Sequence, residues 1–180
     1  MSVSRKVNQS PTSRDVAKAA AIALAKSLQR LRPDVSLDER GYTNSIDDNL
    51  LPGVGRRHFE AELMSGDGEE LKQKFRAAHS SSALVVNSFA PFKDAPSQLS
   101  LLGSVGFGTL AFEKKCPTGL KGKSPNLDLL AERDDLVVGI ESKCTEYIAE
   151  KERPAGYVPF KPAYFDIKDE RRDGRWFRTM

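Results

Sequence analysis

The chain has 180 residues, 39% of them hydrophobic and 29% charged, which is typical of one globular domain and excludes a disordered protein. The net charge of +3 permits a polyanionic partner without arguing for one. Its two cysteines, Cys116 and Cys144, suggest no disulfide framework and fit a reducing cytosol, so we expect a cytoplasmic protein. No apolar run is long enough to cross a bilayer, so no membrane is expected among its partners.

The N-terminal part is expected to begin with a disordered polar leader, residues 1–11, followed by a helix over residues 13–31. Thr12 or Ser13 can cap this helix, and an apolar stripe runs from Val16 to Leu31. Its lysines and arginines are explained by a solvated basic face, and the alternative is a helix that contacts the DNA backbone.

Two further helices are predicted after the turn at residues 52–55. The first covers residues 56–64 and carries Glu62, and the second runs from Glu69 to His79. Glu69 and Glu70 lie in the first turn of the second helix, where carboxylates suit the helix dipole. Residues 80–91 are compatible either with a helix capped by serines or with a strand.

A strand is predicted over residues 109–114 because apolar and polar side chains alternate there. Glu113 ends it and is expected either to join a cluster of carboxylates or to pair with a neighbouring lysine. The loop that follows has several lysines and no acidic residue between them: Lys114, Lys115, Lys121 and Lys123. These lysines are predicted to contact a phosphodiester backbone, and a solvated loop is the alternative.

The most informative stretch predicts an antiparallel hairpin, with strands over residues 127–132 and 136–143. If Asp134 and Asp135 are the whole loop, Asp128 faces Glu141 across the hairpin. One face is then apolar and must pack against the core; its side chains are Leu127, Leu129, Ala131, Leu136, Val138 and Ile140. The other face presents three charged residues together at one end: Asp128, Glu141 and Lys143.

These charged residues predict a metal site. Adjacent carboxylates repel each other and persist most readily where a cation neutralises them, and their hard oxygens suit Mg²⁺ or Mn²⁺. The backbone carbonyl of Ser142 can add a ligand, and Lys143 can orient a water or stabilise charge on a phosphate. An ordinary edge hairpin with solvated charges is the competing interpretation.

The order Pro-Asn-Leu-Asp over residues 125–128, followed by Glu-Ser-Lys over residues 141–143, resembles the PD-(D/E)XK nuclease superfamily. It departs from the motif in that Pro125 is three residues before Asp128. Segments from Gly66 onward, above all the run ESKCTEY, are similar to bacterial proteins described as restriction endonucleases. The resemblance implies a restriction-endonuclease-like α/β fold, with a mixed β-sheet flanked by helices.

The same resemblance implies roles for particular residues. Asp128 and Glu141 would bind the metal, and Lys143 would assist the nucleophile. An acidic residue on the first core helix would point at the metal, with Glu70 the first candidate and Glu62 the second.

Residues 12–180 are therefore expected to form one nuclease-like domain, with its core in residues 56–152 and a charged tail in residues 163–180. No convincing fourth strand follows Pro162, so the last core elements are expected to be missing, as in a truncated member. An open sheet edge would leave room for a second copy of the chain or for a partner that completes the sheet. The predicted function is divalent-metal-dependent hydrolysis of DNA phosphodiesters. The alternative is a non-catalytic nucleic-acid-binding or assembly module derived from a truncated nuclease.

Overall fold

A computed structural model of the chain describes residues 11–65, 71, 73–117, 124–146 and 148. Contacts divide the chain into two units, Met1–Lys115 with Asn126–Glu150 and Cys116–Pro125 with Lys151–Met180. Nearly all described residues belong to the first unit, whose fold is given below. Most of the predicted leader, the charged tail and the segment after Pro162 lie outside the described residues.

Helices and strands both contribute to this unit, which confirms the predicted α/β fold. The described residues form three α-helices, α1 (Ser13–Leu31), α2 (Glu60–Ser65) and α3 (Ser81–Phe89), and three strands, β1 (Thr109–Lys115), β2 (Asn126–Arg133) and β3 (Leu136–Ile140). Short 3-10 turns lie between them at Asp47–Asn49, Arg56–His58, Lys74–Arg76, Ala90–Phe92 and Pro96–Gln98.

Helix α1 begins where the sequence predicts, because Thr12 and Asp15 form a reciprocal cap. The Thr12 hydroxyl accepts the Asp15 N–H at 3.2 Å, and the Asp15 carboxylate accepts the Thr12 N–H at 3.0 Å. No residue of the helix is buried, and Ile22 is 47% exposed. Local sequence and capping, rather than core packing, therefore account for this helix.

A helix was predicted from Glu69 to His79, and this prediction was wrong for residues 74–77, which the structure describes. Residues Lys74–Arg76 form a single 3-10 turn, and Ala77 is extended and forms a bridge with Tyr42. Nδ2 of Asn49 donates to the carbonyl of Ala77 at 2.9 Å and to that of Phe75 at 2.7 Å. These long-range bonds satisfy the backbone carbonyls outside a helix, which local periodicity does not reveal.

The segment left open between helix and strand is helical and becomes α3. Ser80 caps it, since its hydroxyl accepts the N–H of Ala83 at 3.1 Å. Val85 and Val86 are buried against the sheet, in one core with Leu63 of α2. Helices α2 and α3 thus cover the apolar face of the sheet.

The three strands form one antiparallel sheet in the order β1-β2-β3, and the hairpin has the predicted register. Arg133 pairs with Leu136, so Asp134 and Asp135 are the two-residue loop. The apolar face is as expected for most of its members: Leu129 and Ala131 are fully buried, and Leu136, Val138 and Ile140 pack against the same core.

The regular alternation of side chains breaks at one end of the sheet. The backbone of Glu113 is left-handed, with φ of 49°, and the ladder between β1 and β2 skips Glu113 and Asp128 although residues on both sides of them are paired. Leu127 lies against Gly139 instead of in the core, with Cδ1 only 2.9 Å from where a Gly139 Cβ would stand. The prediction that Leu127 joins the apolar face was wrong, because the pleat is irregular at this point.

An ion pair closes the outer edge of β1. Nζ of Lys93 donates to Oε1 of Glu62 and to the carbonyl of Leu110, both at 2.7 Å. Oε2 of Glu62 accepts the N–H of Phe112 at 2.9 Å. Two backbone groups that point away from β2 therefore have side-chain partners, which hinders another strand from pairing at these positions.

Candidate active site

A cavity of about 330 Å³ lies at the irregular end of the sheet, beside the start of α3. Strands β1 and β2, the segment after β3 and helices α2 and α3 all contribute to its walls. The charged residues among those walls are four carboxylates, Glu113, Asp128, Glu141 and Glu146, and two amines, Lys74 and Lys143. The excess of carboxylates gives the cavity a negative formal charge, which favours a cation.

Four predicted site residues line this cavity: Asp128, Glu141, Lys143 and Glu113. The cavity also touches Leu63 and Ser81, so it lies on the side of the sheet that the helices cover. Regular alternation had placed the charged cluster on the opposite face from the core. That expectation was wrong, because the ladder between β1 and β2 is interrupted at Glu113 and Asp128. Side chains beyond the interruption no longer follow the alternation of the rest of the strand.

Asp128 is held by the segment that follows β3. The backbone N–H of Ser142 donates to its Oδ2 at 2.5 Å, and the Ser142 hydroxyl donates to the carbonyl of Ser81 at 3.0 Å. The predicted strand through Lys143 in fact ends at Ile140, since Ser142 gives its N–H to a side chain instead of to β2. Ser142 thereby links Asp128 to the first turn of α3.

Glu141 and Lys143 form an ion pair, with Nζ of Lys143 2.5 Å from Oε1 of Glu141. This hydrogen bond to Glu141 raises the pKa of Lys143 above its ordinary value, although partial burial opposes it, and the charges of Glu141, Asp128 and Glu146 add to the rise. The side chains of the pair are 52% and 46% exposed, and exposed pairs of this kind contribute only about 0–1 kcal/mol. The pair with Lys143 therefore holds Glu141 only weakly.

Glu146 fastens the same segment to α3. Its Oε1 accepts the hydroxyl of Ser81 at 3.0 Å, and its Oε2 accepts the N–H of Cys144 at 2.8 Å and that of Thr145 at 3.0 Å. Burial by itself would raise the pKa of Glu146, but these bonds and its own backbone N–H together lower it below its ordinary value. Glu146 therefore stays ionised and holds the loop that carries Lys143.

Glu113 extends from β1 toward the start of β2. Its Oε2 accepts Nδ2 of Asn126 at 3.3 Å. A glutamate with a left-handed backbone is uncommon, and such residues cost of order 1–3 kcal/mol and cluster at functional sites. The strained backbone therefore marks Glu113 out among the acidic residues of the sheet.

The remaining predicted residues have different placements. Glu62 does not line the cavity, because it is bound to Lys93 and β1. Lys114 and Lys115 are exposed at the end of β1. Three predicted contacts, Glu70, Lys121 and Lys123, lie outside the described residues.

Sequence reasoning missed five residues that line the cavity: Leu63, Lys74, Ser81, Ser82 and Asn126. The serine triplet at residues 80–82 indicated a helix cap, but nothing local indicated which residues the cap would face. Asn126 precedes Asp128 by two positions on the same strand, and this spacing was the one available signal for it.

The donor set suits Mg²⁺ or Mn²⁺, since all candidate ligands are hard oxygens. Among the residues that the structure describes, no three acidic, histidine or cysteine side chains gather closely enough to hold a metal. Asp128, Glu141 and Glu146 instead hold protein donors at present. Cation binding would thus exchange such bonds for coordination.

A comparison with models of protein families assigns the chain to a family. The model described as Restriction Endonuclease associating with ARP, REase-ARP, matches residues 20–174, which is most of the chain and includes the whole sheet. The chain belongs to this family. Searches of curated proteins and of solved structures found no match to this REase-ARP chain. In its described part, no helix combines the length and apolar character needed to cross a bilayer.

Proposed function

We propose that this REase-ARP chain hydrolyses DNA phosphodiester bonds with a divalent metal at the cavity beside α3. The observation that supports this best is the meeting of Asp128, Glu141 and Lys143 in one cavity, from two different elements of the sheet end. Family membership supports a nuclease-related function independently of that geometry.

Asp128, Glu141 and Glu113 are the residues that would hold Mg²⁺ or Mn²⁺. When bound, the cation would supply a Lewis acid for the phosphate and lower the pKa of a water. The cavity has two more carboxylates than amines, so a bare phosphate would be repelled from it. We therefore propose that DNA enters this site only after the cation has.

Lys143 is proposed to stabilise the charge that develops on the phosphate. Its raised pKa keeps the amine protonated at neutral pH, so in this state it is a hydrogen-bond donor and not a base. With Glu141 serving as a metal ligand, the amine of Lys143 would be free to donate to a phosphate oxygen. The bonds of Glu146 and Ser142 to Ser81 would keep Lys143 in place.

Lys114 and Lys115 are proposed to contact the DNA backbone. Both are exposed on β1 directly after Glu113, so a DNA strand whose phosphate reaches the cavity would pass them. For Lys121 and Lys123, which lie outside the described residues, the same role is proposed from the sequence alone. Such contacts carry no sequence information and make binding sensitive to salt.

A protein partner is proposed from the family description. The description says that the family associates with ARP, and we propose that this chain does so too. Co-purification of the two proteins tests this separately from catalysis.

The catalytic proposal is tested by nicking of supercoiled plasmid with Mg²⁺, with Mn²⁺ and with chelator. We expect nicking that requires the cation and that is lost in Asp128→Ala and Lys143→Ala proteins. Glu132→Gln is the control, since Glu132 lies on the same strand but outside the cavity.

If both cavity variants nick as well as the wild type, the proposal is wrong. Salt-sensitive DNA binding without turnover would favour the non-catalytic nucleic-acid-binding module.

A further inference from the structure

Oδ1 of Asn126, a residue that lines the cavity, has no hydrogen-bond partner among the described residues. Asn126 begins β2 and lines the cavity together with Glu113 and Asp128. Its Nδ2 donates to Glu113 at 3.3 Å, whereas its Oδ1 is shielded from solvent and accepts no hydrogen bond in the part of the chain that the structure describes. Side-chain acceptors buried in this way nearly always have a partner, so this one requires an explanation.

Exchanging the two ends of the amide does not remove the problem. With Nδ2 and Oδ1 swapped, the oxygen of Asn126 would face the carboxylate of Glu113, and two acceptors would oppose each other. The contact with Glu113 therefore fixes the amide, and the fixed amide leaves its oxygen unpaired. A positively charged ligand would satisfy this oxygen without disturbing the bond to Glu113.

We propose that Asn126 is a ligand of the divalent cation, contributing Oδ1 as a neutral oxygen next to Asp128. This inference rests on the proposed function of the cavity. Amide oxygens are hard ligands that accompany carboxylates around such cations. A neutral oxygen adds coordination without adding repulsion to a cavity where carboxylates already outnumber amines. Nδ2 would meanwhile keep Glu113 oriented toward the same cation.

Calorimetric titration of the full chain with MnCl₂ tests this without reference to activity. Asn126→Leu removes both polar atoms at similar volume, and we expect it to weaken Mn²⁺ binding by about 10–100-fold. Asn126→Asp keeps an oxygen and removes only the donor to Glu113, so Mn²⁺ binding should be at least as tight as in the wild type. Glu132→Gln should leave Mn²⁺ binding unchanged.

The outcomes separate this inference from the proposed function. If Mn²⁺ does not bind the wild-type chain, both fail. If Mn²⁺ binds the wild type and not Asp128→Asn, but binds Asn126→Leu normally, the function stands and the ligand role is overturned.

Equal losses in the Leu and Asp variants would also overturn the ligand role, since Asn126 would then act only by holding Glu113. If Asn126→Leu does not fold, as circular dichroism would reveal, Asn126→Asp decides alone: wild-type or tighter Mn²⁺ binding supports the ligand role, and weaker binding overturns it.

Discussion

Oδ2 of Asp128 accepts the backbone N–H of Ser142, which joins the second strand of the sheet to the segment that carries Lys143. This bond lies just beyond the last ladder pair of the hairpin, Leu129 with Ile140. One carboxylate therefore has two tasks, since it ends the hairpin by binding a backbone donor and also faces the cavity. The two tasks can be separated by mutation.

Asp128→Asn should lose catalysis and keep the fold. The amide oxygen can still accept the Ser142 N–H, but the negative charge that attracts the cation is gone. We expect plasmid nicking to fall by at least about 100-fold, with the midpoint of urea unfolding little changed. A variant that nicks at the wild-type rate would exclude Asp128 as a metal ligand.

Lys143→Met should bind the cation more tightly while losing turnover. It removes a positive charge from the cavity and frees Glu141, whose pair with Lys143 is worth about 0–1 kcal/mol, so Mn²⁺ affinity should rise up to about fivefold. Nicking should disappear because no amine is left to stabilise the phosphate. Calorimetry and the plasmid assay measure the two effects, and weaker Mn²⁺ binding would contradict this account.

Glu146→Gln should change how stability depends on pH. Because the pKa of Glu146 in the folded chain lies below its ordinary value of 4.5, its stabilisation is fully present above pH 4.5 and is lost as the pH falls through the lowered pKa. The difference in Tm between wild type and variant should be constant above pH 4.5 and shrink in more acidic buffer. If the difference in Tm instead grows as the pH falls, the pKa of Glu146 is not lowered in the folded chain.

Glu62→Gln should lower stability without affecting cation binding. The change removes the charge that holds Lys93 and weakens the bond to the Phe112 N–H, at a cost of about 1–2 kcal/mol by urea unfolding. Mn²⁺ affinity should match the wild type because Glu62 does not line the cavity. Loss of Mn²⁺ binding in a folded variant would return Glu62 to the list of candidate ligands.

Glu113→Gly should be more stable than Glu113→Ala by about 1 kcal/mol. Both changes remove the carboxylate, but only glycine adopts a left-handed backbone without steric cost. Both variants should bind Mn²⁺ equally weakly, because both lack the carboxylate. The two variants should therefore differ in stability but not in Mn²⁺ affinity. Greater stability of Glu113→Ala would show that this position does not require a left-handed backbone.

The sequence by itself determined the hairpin, its register and the start of the first helix. A two-residue loop and alternating side chains fix the pairing of Arg133 with Leu136, and Thr12 caps its helix through Asp15 only three residues away. These features depend on neighbours in the chain, so local patterns contain them. The same local reasoning brought Asp128, Glu141 and Lys143 to one place.

Only the tertiary structure decided which other residues line the cavity and on which face of the sheet the cavity lies. Ser81 meets Glu146 across 65 positions of the chain, and the Lys93 bond that keeps Glu62 from the cavity spans 31. The left-handed turn at Glu113 breaks the alternation on which strand predictions rely. Each depends on packing between distant segments, and side-chain periodicity within a single strand or helix contains no information about such packing.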